Sequence, residues 1–241
     1  MGLIQAPLSV FVGFDPDEAV AWHVFVHSVF SRSSIPIAFT PLHERNLSRV
    51  FWRERDPLQS TTFSLSRFLV PTLCGFEGLA IYFDCDMLLR TDIANLIAEV
   101  ERDPGKAIYV VKHEYVPSTT TKFLGKPQHR YPRKNWSSVI VWDCAHPSNR
   151  LLSAELVNHE SPAFLHRFSW LRDDEIGSLR VEWNWLIGEY TAPTVEALNL
   201  HWTIGGPYFM EYGGSDAADE WFEEFRLATY CRQNNQGNKP E

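Results

Sequence analysis

No stretch of this 241-residue chain approaches the roughly 20 consecutive apolar residues that a membrane-spanning helix needs. Cysteine is scarce too: Cys74, Cys85, Cys144 and Cys231 are scattered, with no C-x-x-C pair. That spacing argues against a structural zinc site and against a short secreted disulfide framework, and it suits reduced thiols in a cytoplasmic protein. Basic charge is in deficit, with 22 Lys and Arg against 30 Asp and Glu and a formal net charge of −8. A general nucleic-acid binder should show a basic footprint, so nucleic acid is not an expected partner. The start, "MGLIQAPLSVFVGF", has no basic segment before its apolar run, and no signal peptide is expected. Gly2 begins a myristoylation-like pattern, but Ala6 stands where that pattern wants Ser or Thr. Without a basic amphipathic tail, stable membrane attachment is not expected either.

What the chain does contain is alternation. "SVFVGF" is a β-branched and aromatic run, ended by "DPDE", where Asp15 or Asp17 can cap the helix that follows. "DEAVAWHVFVHSVFSRS" carries apolar residues round much of a helix, as packing on a sheet requires. "IPIAFTPL" reads as a second strand, and residues 43–62 are polar and irregular. "FSLSRFLVPTLCGF" has helical spacing that ends at Cys74 and Gly75, with Pro71 a local kink or break. A strand over 78–84 follows, then a helix at "TDIANLIAEVERD" capped by Thr91 or Asp92, then strands at "AIYVV" and "SSVIVWD". The second half mixes short strands such as "LNLHWT" with helices. It closes on "DAADEWFEEFRLATYC", an amphipathic helix expected to dock Trp221, Phe222 and Phe225 inward and leave its acidic face in water. This alternation indicates an α/β domain with a largely parallel sheet. The expected organisation is one domain over residues 1–232, followed by a disordered tail at 233–241.

The segment "LAIYFDCDMLLRTDI" ends an apolar strand on Asp84 and Asp86. Ligands of open α/β sheets bind at the carboxyl ends of the strands. Spacing of i, i+2 puts both carboxylates on one side of an extended chain and Cys85 on the other. Two hard oxygen ligands suit Mg²⁺ or Mn²⁺, whose shells are completed by phosphate oxygens and water. Such a cation supplies the positive charge that an acidic protein lacks for holding a phosphate. By itself the same tripeptide also fits a turn with helix-capping aspartates. "LNLHWTIGGPYF" adds His201, a common metal-ligand type, ahead of Gly205 and Gly206, whose backbone can approach a ligand closely. By itself that run also fits a core histidine beside a Gly-Gly-Pro turn.

Together, "FVGFDPDEAVAWHVFVHSV", "SLSRFLVPTLCGFEGLAIYFDCDMLLRTDI", "NWSSVIVWDC" and "LNLHWTIGGPYF" resemble the successive motifs of glycosyltransferase family 8, in that family's order over about residues 9 to 210. The resemblance implies a single GT-A (Rossmann-like) domain, a nucleotide-sugar donor, usually linked to uridine diphosphate, and Mn²⁺ or Mg²⁺ bridging its phosphates. It implies a retaining transfer of a hexose to a saccharide or other hydroxyl acceptor. Asp84, Asp86 and His201 would be the metal ligands, with Asp84 also touching the donor ribose. Arg67 resembles the family arginine that faces the donor, and Phe14 and Asp15 match the place where uracil and ribose are held. Asp173 and Asp174, in "WLRDDEIGSL", fall where the family has an acidic-amide pair beside the anomeric carbon. Two departures stand out. The family's Asn-Ser-Gly is matched only loosely by Asn135, Ser137 and Ser138, and "HWTIGGPYF" lacks the lysine that often grips the pyrophosphate. The amides of Gly205 and Gly206, or a residue from elsewhere, would then take over that work.

Other features weigh less. His23 and His27 have helical i, i+4 spacing but no glutamate after the first, so packing or surface roles are expected. "KFLGKPQHRYPRKNW" carries Lys122, Lys126, Arg130, Arg133 and Lys134, either as a solvated loop or as a lid over donor phosphates or an anionic acceptor. In "WNW" the tryptophans fill the core or stack on a sugar, and Asn184 between them must find hydrogen bonds if it is buried. Two other functions compete. A haloacid-dehalogenase-like phosphatase also ends an apolar strand on D-x-D, though there the motif usually opens the domain and Leu88 is not the expected Thr or Val. A domain that binds nucleotide sugar without turning it over is the non-catalytic alternative.

Overall fold

The structure, a computed structural model, describes residues 6–55, 59, 61–114, 121–122, 126–127, 133–190 and 196–230. The expected tail and most of the basic 122–134 stretch lie outside the described residues. The chain begins with β1 (Leu8–Gly13), whose Val10, Phe11 and Val12 are buried. Asp15 accepts the Asp17 N–H and caps a short 3-10 turn, after which α1 (Ala19–Arg32) runs back to β2 (Ile37–Leu42). The "SRFLVPTL" segment is not one helix. It is a 3-10 turn over Ser66–Leu69 and a single α-turn, α2 (Val70–Leu73), because Pro71 fits only the start of the α-helical piece. Gly75 takes φ +64 and ends it.

β3 (Leu79–Phe83) and β4 (Met87–Leu89) flank the D-x-D segment, and α3 (Ala94–Val100) starts where the Asp92 carboxylate accepts the Ala94 N–H. β5 (Ile108–Val111) follows, then β6 (Thr121–Lys122) and β7 (Lys126–Pro127), a small antiparallel pair. The rest of the chain adds β8 (Val139–Asp143), α4 (Ala154–His159), α5 (Pro162–His166), β9 (Ile176–Leu179), β10 (Trp185–Leu186), β11 (Asn199–His201) and α6 (Ala218–Thr229).

The central sheet has six strands in the order β2-β1-β3-β8-β5-β9. β2, β1 and β3 are parallel, as are β5 and β9, while β8 is antiparallel to both neighbours. Its middle strands are covered on both faces, which is why β3, β5 and β8 read as almost unbroken apolar runs. On one face Phe25 of α1 packs on Phe83 of β3, with ring centroids 5.1 Å apart. A second, three-stranded sheet, β10-β11-β4, pairs the segment after the D-x-D motif with the histidine strand.

The acidic last helix differs from expectation. Trp221 is buried and stacks on Phe225 at 5.7 Å, but Phe222 is 43% exposed. Glu224, three residues beyond Trp221 on the same helix face, is buried instead and takes hydrogen bonds from Arg32 (2.7 Å) and His27 (2.5 Å) of α1. Two cationic or polar partners from α1 offset the cost of burying that carboxylate, which also explains the His27 spacing without a metal.

α1 is tied to β4 by Ser28, whose buried hydroxyl donates to the Phe25 carbonyl (2.7 Å) and accepts the Leu89 N–H (3.1 Å). Substituting Ser28→Ala leaves that N–H without its partner, at a cost of roughly 1–3 kcal/mol. For a domain of this size each kcal/mol lowers Tm by about 2–4 °C. Thermal unfolding of the variant checks this, and an unchanged Tm would contradict the stated role of the hydroxyl.

Candidate metal centre

Strand β3 delivers Asp84 to the carboxyl edge of the parallel strands, where its N–H donates to the Ser138 carbonyl (3.0 Å). Cys85 turns into the core, fully buried. Asp86 then begins the β4–β11 ladder: its carbonyl accepts the Trp202 N–H (3.0 Å), and Met87 pairs with His201. That pairing brings a histidine from late in the chain beside the two aspartates. His201 Nε2 lies 3.3 Å from Asp86 Oδ1 and 4.0 Å from Asp84 Oδ2. One ligand atom from each of Asp84, Asp86 and His201 falls within 4.8 Å of the others.

The set fits a divalent cation. Asp86 Oδ1 is buried and, among the described residues, accepts no hydrogen bond, a costly state for a carboxylate oxygen unless a cation completes it. The second imidazole nitrogen, Nδ1, is bonded to Asn184 Oδ1 (2.7 Å), so Nε2 is the atom turned to the carboxylates. Two hard oxygens and one imidazole are donors that Mg²⁺ and Mn²⁺ accept.

Arg67 supplies local positive charge. It is buried, donates to Asp84 Oδ1 (2.9 Å) and to the Ser137 carbonyl (2.8 Å), and lies over the Tyr82 ring at 4.8 Å. The Tyr82 hydroxyl donates to the same Asp84 Oδ1 (2.6 Å), and burial pushes its own pKa well up. One oxygen of Asp84 is thereby occupied, and Oδ2 is the one turned towards His201.

The remaining expected residues fall into two groups. Asp15 is buried at the end of β1, with its oxygens accepting the N–H groups of Asp17 (3.1 Å) and Thr62 (2.9 Å). Phe14 is half-buried, edge-on to His43 at 5.0 Å, and its carbonyl accepts the Thr62 hydroxyl. Ser137 and Ser138 are buried beside Arg67 and Asp84, and the Ser137 hydroxyl shares a 3.0 Å hydrogen bond with His166. Asp173 and Asp174, by contrast, sit in an exposed 3-10 turn, where Arg133 pairs with the first and Arg172 with the second. The glycine pair also has a local explanation. The Gly205 N–H donates to the Trp202 carbonyl (3.1 Å), and a Cβ at Gly205 or Gly206 would overlap the ring of Tyr212 or Tyr208. Aromatic rings press on that backbone.

Sequence reading missed Glu18. It is 4% exposed and accepts the Tyr208 hydroxyl (2.6 Å). Burial, followed by repulsion from Asp86, Asp15 and Asp84, pushes its carboxyl up to about 8, against the lowering effect of the tyrosine. The signal was a third acid in "DPDE", which a capping role for Asp15 made easy to pass over. Trp183 and Trp185 are core residues, and Asn184 is fully buried.

The chain is 44% identical over 236 residues to Protein CDI of Arabidopsis thaliana, spanning 95% of this chain and 90% of that protein. The chain belongs to the Protein CDI family. No protein-family model matches it. This CDI-family chain shares its fold with a galactosyltransferase, LgtC, crystallised with donor and acceptor sugar analogues: TM-score 0.56 and 13% identity, over 95% of this chain and 99% of that one. It also matches WbbM, a bifunctional glycosyltransferase, at TM-score 0.62 and 14% identity over 93% of its length, and spans half of the WbbM chain. The CDI-family architecture is therefore the GT-A fold, α/β with a mixed, mostly parallel central sheet of six strands. Among the described residues, no helix is long and apolar enough to cross a membrane.

Between its ordinary value of 4.5 and about 8, Glu18 stays protonated in the folded metal-free chain and would ionise on unfolding. The folded state binds more protons in that window, so stability falls as pH rises through it. Glu18→Gln should flatten the fall, raising Tm at pH 8 by roughly 2–4 °C, the effect of about 1 kcal/mol, with little change at pH 5. Parallel pH profiles for the two proteins would refute the assignment.

Proposed function

We propose that this chain is a metal-dependent retaining glycosyltransferase of the family 8 type, acting in the cytoplasm. In this reading it moves a hexose from a nucleotide sugar, linked to uridine diphosphate, to a saccharide or other hydroxyl acceptor. The supporting observation is the convergence of Asp84, His201 and the half-buried Asp86, whose Oδ1 accepts no hydrogen bond among the described residues, at the carboxyl edge of a GT-A sheet.

Asp84, Asp86 and His201 would hold Mn²⁺ or Mg²⁺, which when bound supplies Lewis-acid stabilisation of the departing diphosphate. Arg67, already anchored on Asp84 and the Ser137 carbonyl, orients the carboxylate and adds a positive charge to the donor side. Asp15 keeps lone pairs for a ribose hydroxyl after accepting its two backbone N–H groups, and Phe14 borders the base. Asp84, Ser137 and Ser138 belong to the same donor wall. The Gly205 N–H is spent within its own turn, so Gly205 and Gly206 shape the wall by admitting the tyrosine rings. With no lysine in "HWTIGGPYF", the charge for the pyrophosphate falls to the cation and Arg67. The proposed sugar-side role of Asp173 and Asp174 requires exchanging the Arg133 and Arg172 pairs for sugar hydroxyls, since both carboxylates are exposed. Same-face attack, with the leaving phosphate accepting the acceptor's proton, needs neither as a nucleophile.

The test is a thermal-shift screen of uridine and guanosine diphosphate sugars with and without Mn²⁺, followed by transfer and donor-hydrolysis assays with the stabilising donor. Asp86→Ala should lose more than the ~10–100-fold typical of changes behind the ligands, and its Mn²⁺-dependent shift should vanish while circular dichroism is unchanged. Full activity in that variant, or indifference to a chelator, would rule the metal-dependent reading out. Phosphate release from simple esters, with no response to nucleotide sugars, would support the phosphatase alternative.

A further inference from the structure

We infer that Asn184, His113 and Tyr190 form a positioning chain that sets the proton on His201 Nδ1 and reserves its Nε2 lone pair for the metal, an inference that rests on the metal reading above. The argument begins with an amide that has no access to solvent. Asn184 is 0% exposed, and its Nδ2 donates to the Asn135 carbonyl (3.2 Å) and to His113 Nε2 (2.9 Å). A backbone carbonyl only accepts, so the atom facing Asn135 must be the amide nitrogen, and the two ends of the amide cannot be exchanged. Its oxygen therefore faces His201 Nδ1 at 2.7 Å, and that nitrogen must carry the hydrogen. The other ring nitrogen, Nε2, keeps its lone pair towards Asp86 and Asp84.

The same logic runs outward. His113 Nε2 accepts from the amide, so its Nδ1 holds the hydrogen and donates to the Tyr190 hydroxyl at 2.5 Å. Burial, and then His201, pushes the pKa of His113 down to about 3, so it stays in the neutral form that can accept. Tyr190 is only half-buried, so the chain leads from His201, 1% exposed, to the margin of the protein. At the other end Asn135 adopts a left-handed conformation, φ 61°, just before the turn that also gives carbonyls to Arg67 (Ser137) and to the Asp84 N–H (Ser138). One short segment thus orients the amide behind the histidine and braces the first aspartate. In metal sites such partners behind a histidine set its tautomer and orientation, and losing one commonly costs 10–100-fold in affinity.

The experiment needs no substrate. Mn²⁺ is titrated into the metal-free full chain and free ion is read by electron paramagnetic resonance, for wild type, Asn184→Leu and Asn184→Asp. Asn184→Leu should bind Mn²⁺ about 10–100-fold more weakly. Asn184→Asp keeps an acceptor for Nδ1 but turns its second oxygen to the Asn135 carbonyl, so it should restore only part of that loss, with His113 switching to its Nε2–H form. Long-range ¹H–¹⁵N correlation spectra of histidine-labelled wild type read the tautomers directly and do not depend on the variants folding. They should show His201 and His113 both protonated at Nδ1. A folded Asn184→Leu with wild-type affinity, or His201 as the Nε2–H form in wild type, overturns the inference alone. Wild type that binds no Mn²⁺ overturns the metal reading as well.

Discussion

A buried carboxylate has to be met by positive charge, and around Asp84 that need is divided between two places. Arg67 and the Tyr82 hydroxyl take one oxygen, while the other oxygen faces Asp86 and His201. Most of what is unusual in the molecule follows from that division. The arginine must itself be buried, so it is held over aromatic rings and tied to a backbone carbonyl. One oxygen of the second aspartate, Oδ1, accepts no hydrogen bond among the described residues, and the nearby Glu18 keeps its proton because it is buried and because the carboxyls around it repel a further negative charge.

Bringing these groups together is a matter of strand pairing more than of sequence proximity. Asp84 and Asp86 arrive on one strand end, Arg67 on a 3-10 turn before it, and His201 on a strand that pairs with the residues just after the aspartates. A ladder register slipped by one residue would turn the histidine to the opposite face. The second, three-stranded sheet is small, but it sets the separation of His201 from Asp86.

Much of this was legible from the residues. An apolar run ending on D-x-D is recognisable because a fully covered strand has no polar alternation, so the aspartates mark where cover stops. Strand–helix alternation pointed to the right fold class, and Asn184 drew notice as an amide flanked by tryptophans. What was hidden depends on partners distant in the chain. Glu224 looked like part of a solvated acidic face, and only its distance to Arg32 and His27 shows why it is inside while Phe222 is not. The glycine pair suggested ligand contact, whereas Tyr208 and Tyr212 need that space. His113 carried no signal at all, because its role exists only through Asn184.

The reversed strand β8 has one more consequence. Because it pairs antiparallel with both β3 and β5, Val139 stands opposite Phe83, and Val110 lies opposite Ile140. The chain therefore leaves the sheet after Val111 and rejoins it at Val139 on a single rim, the rim that bears Asp84. The flanks of that connection, His113 on one side and Asn135 to Ser138 on the other, are thereby held at the same rim as the aspartates, so a change of spacing at either flank acts directly on the groups that brace them.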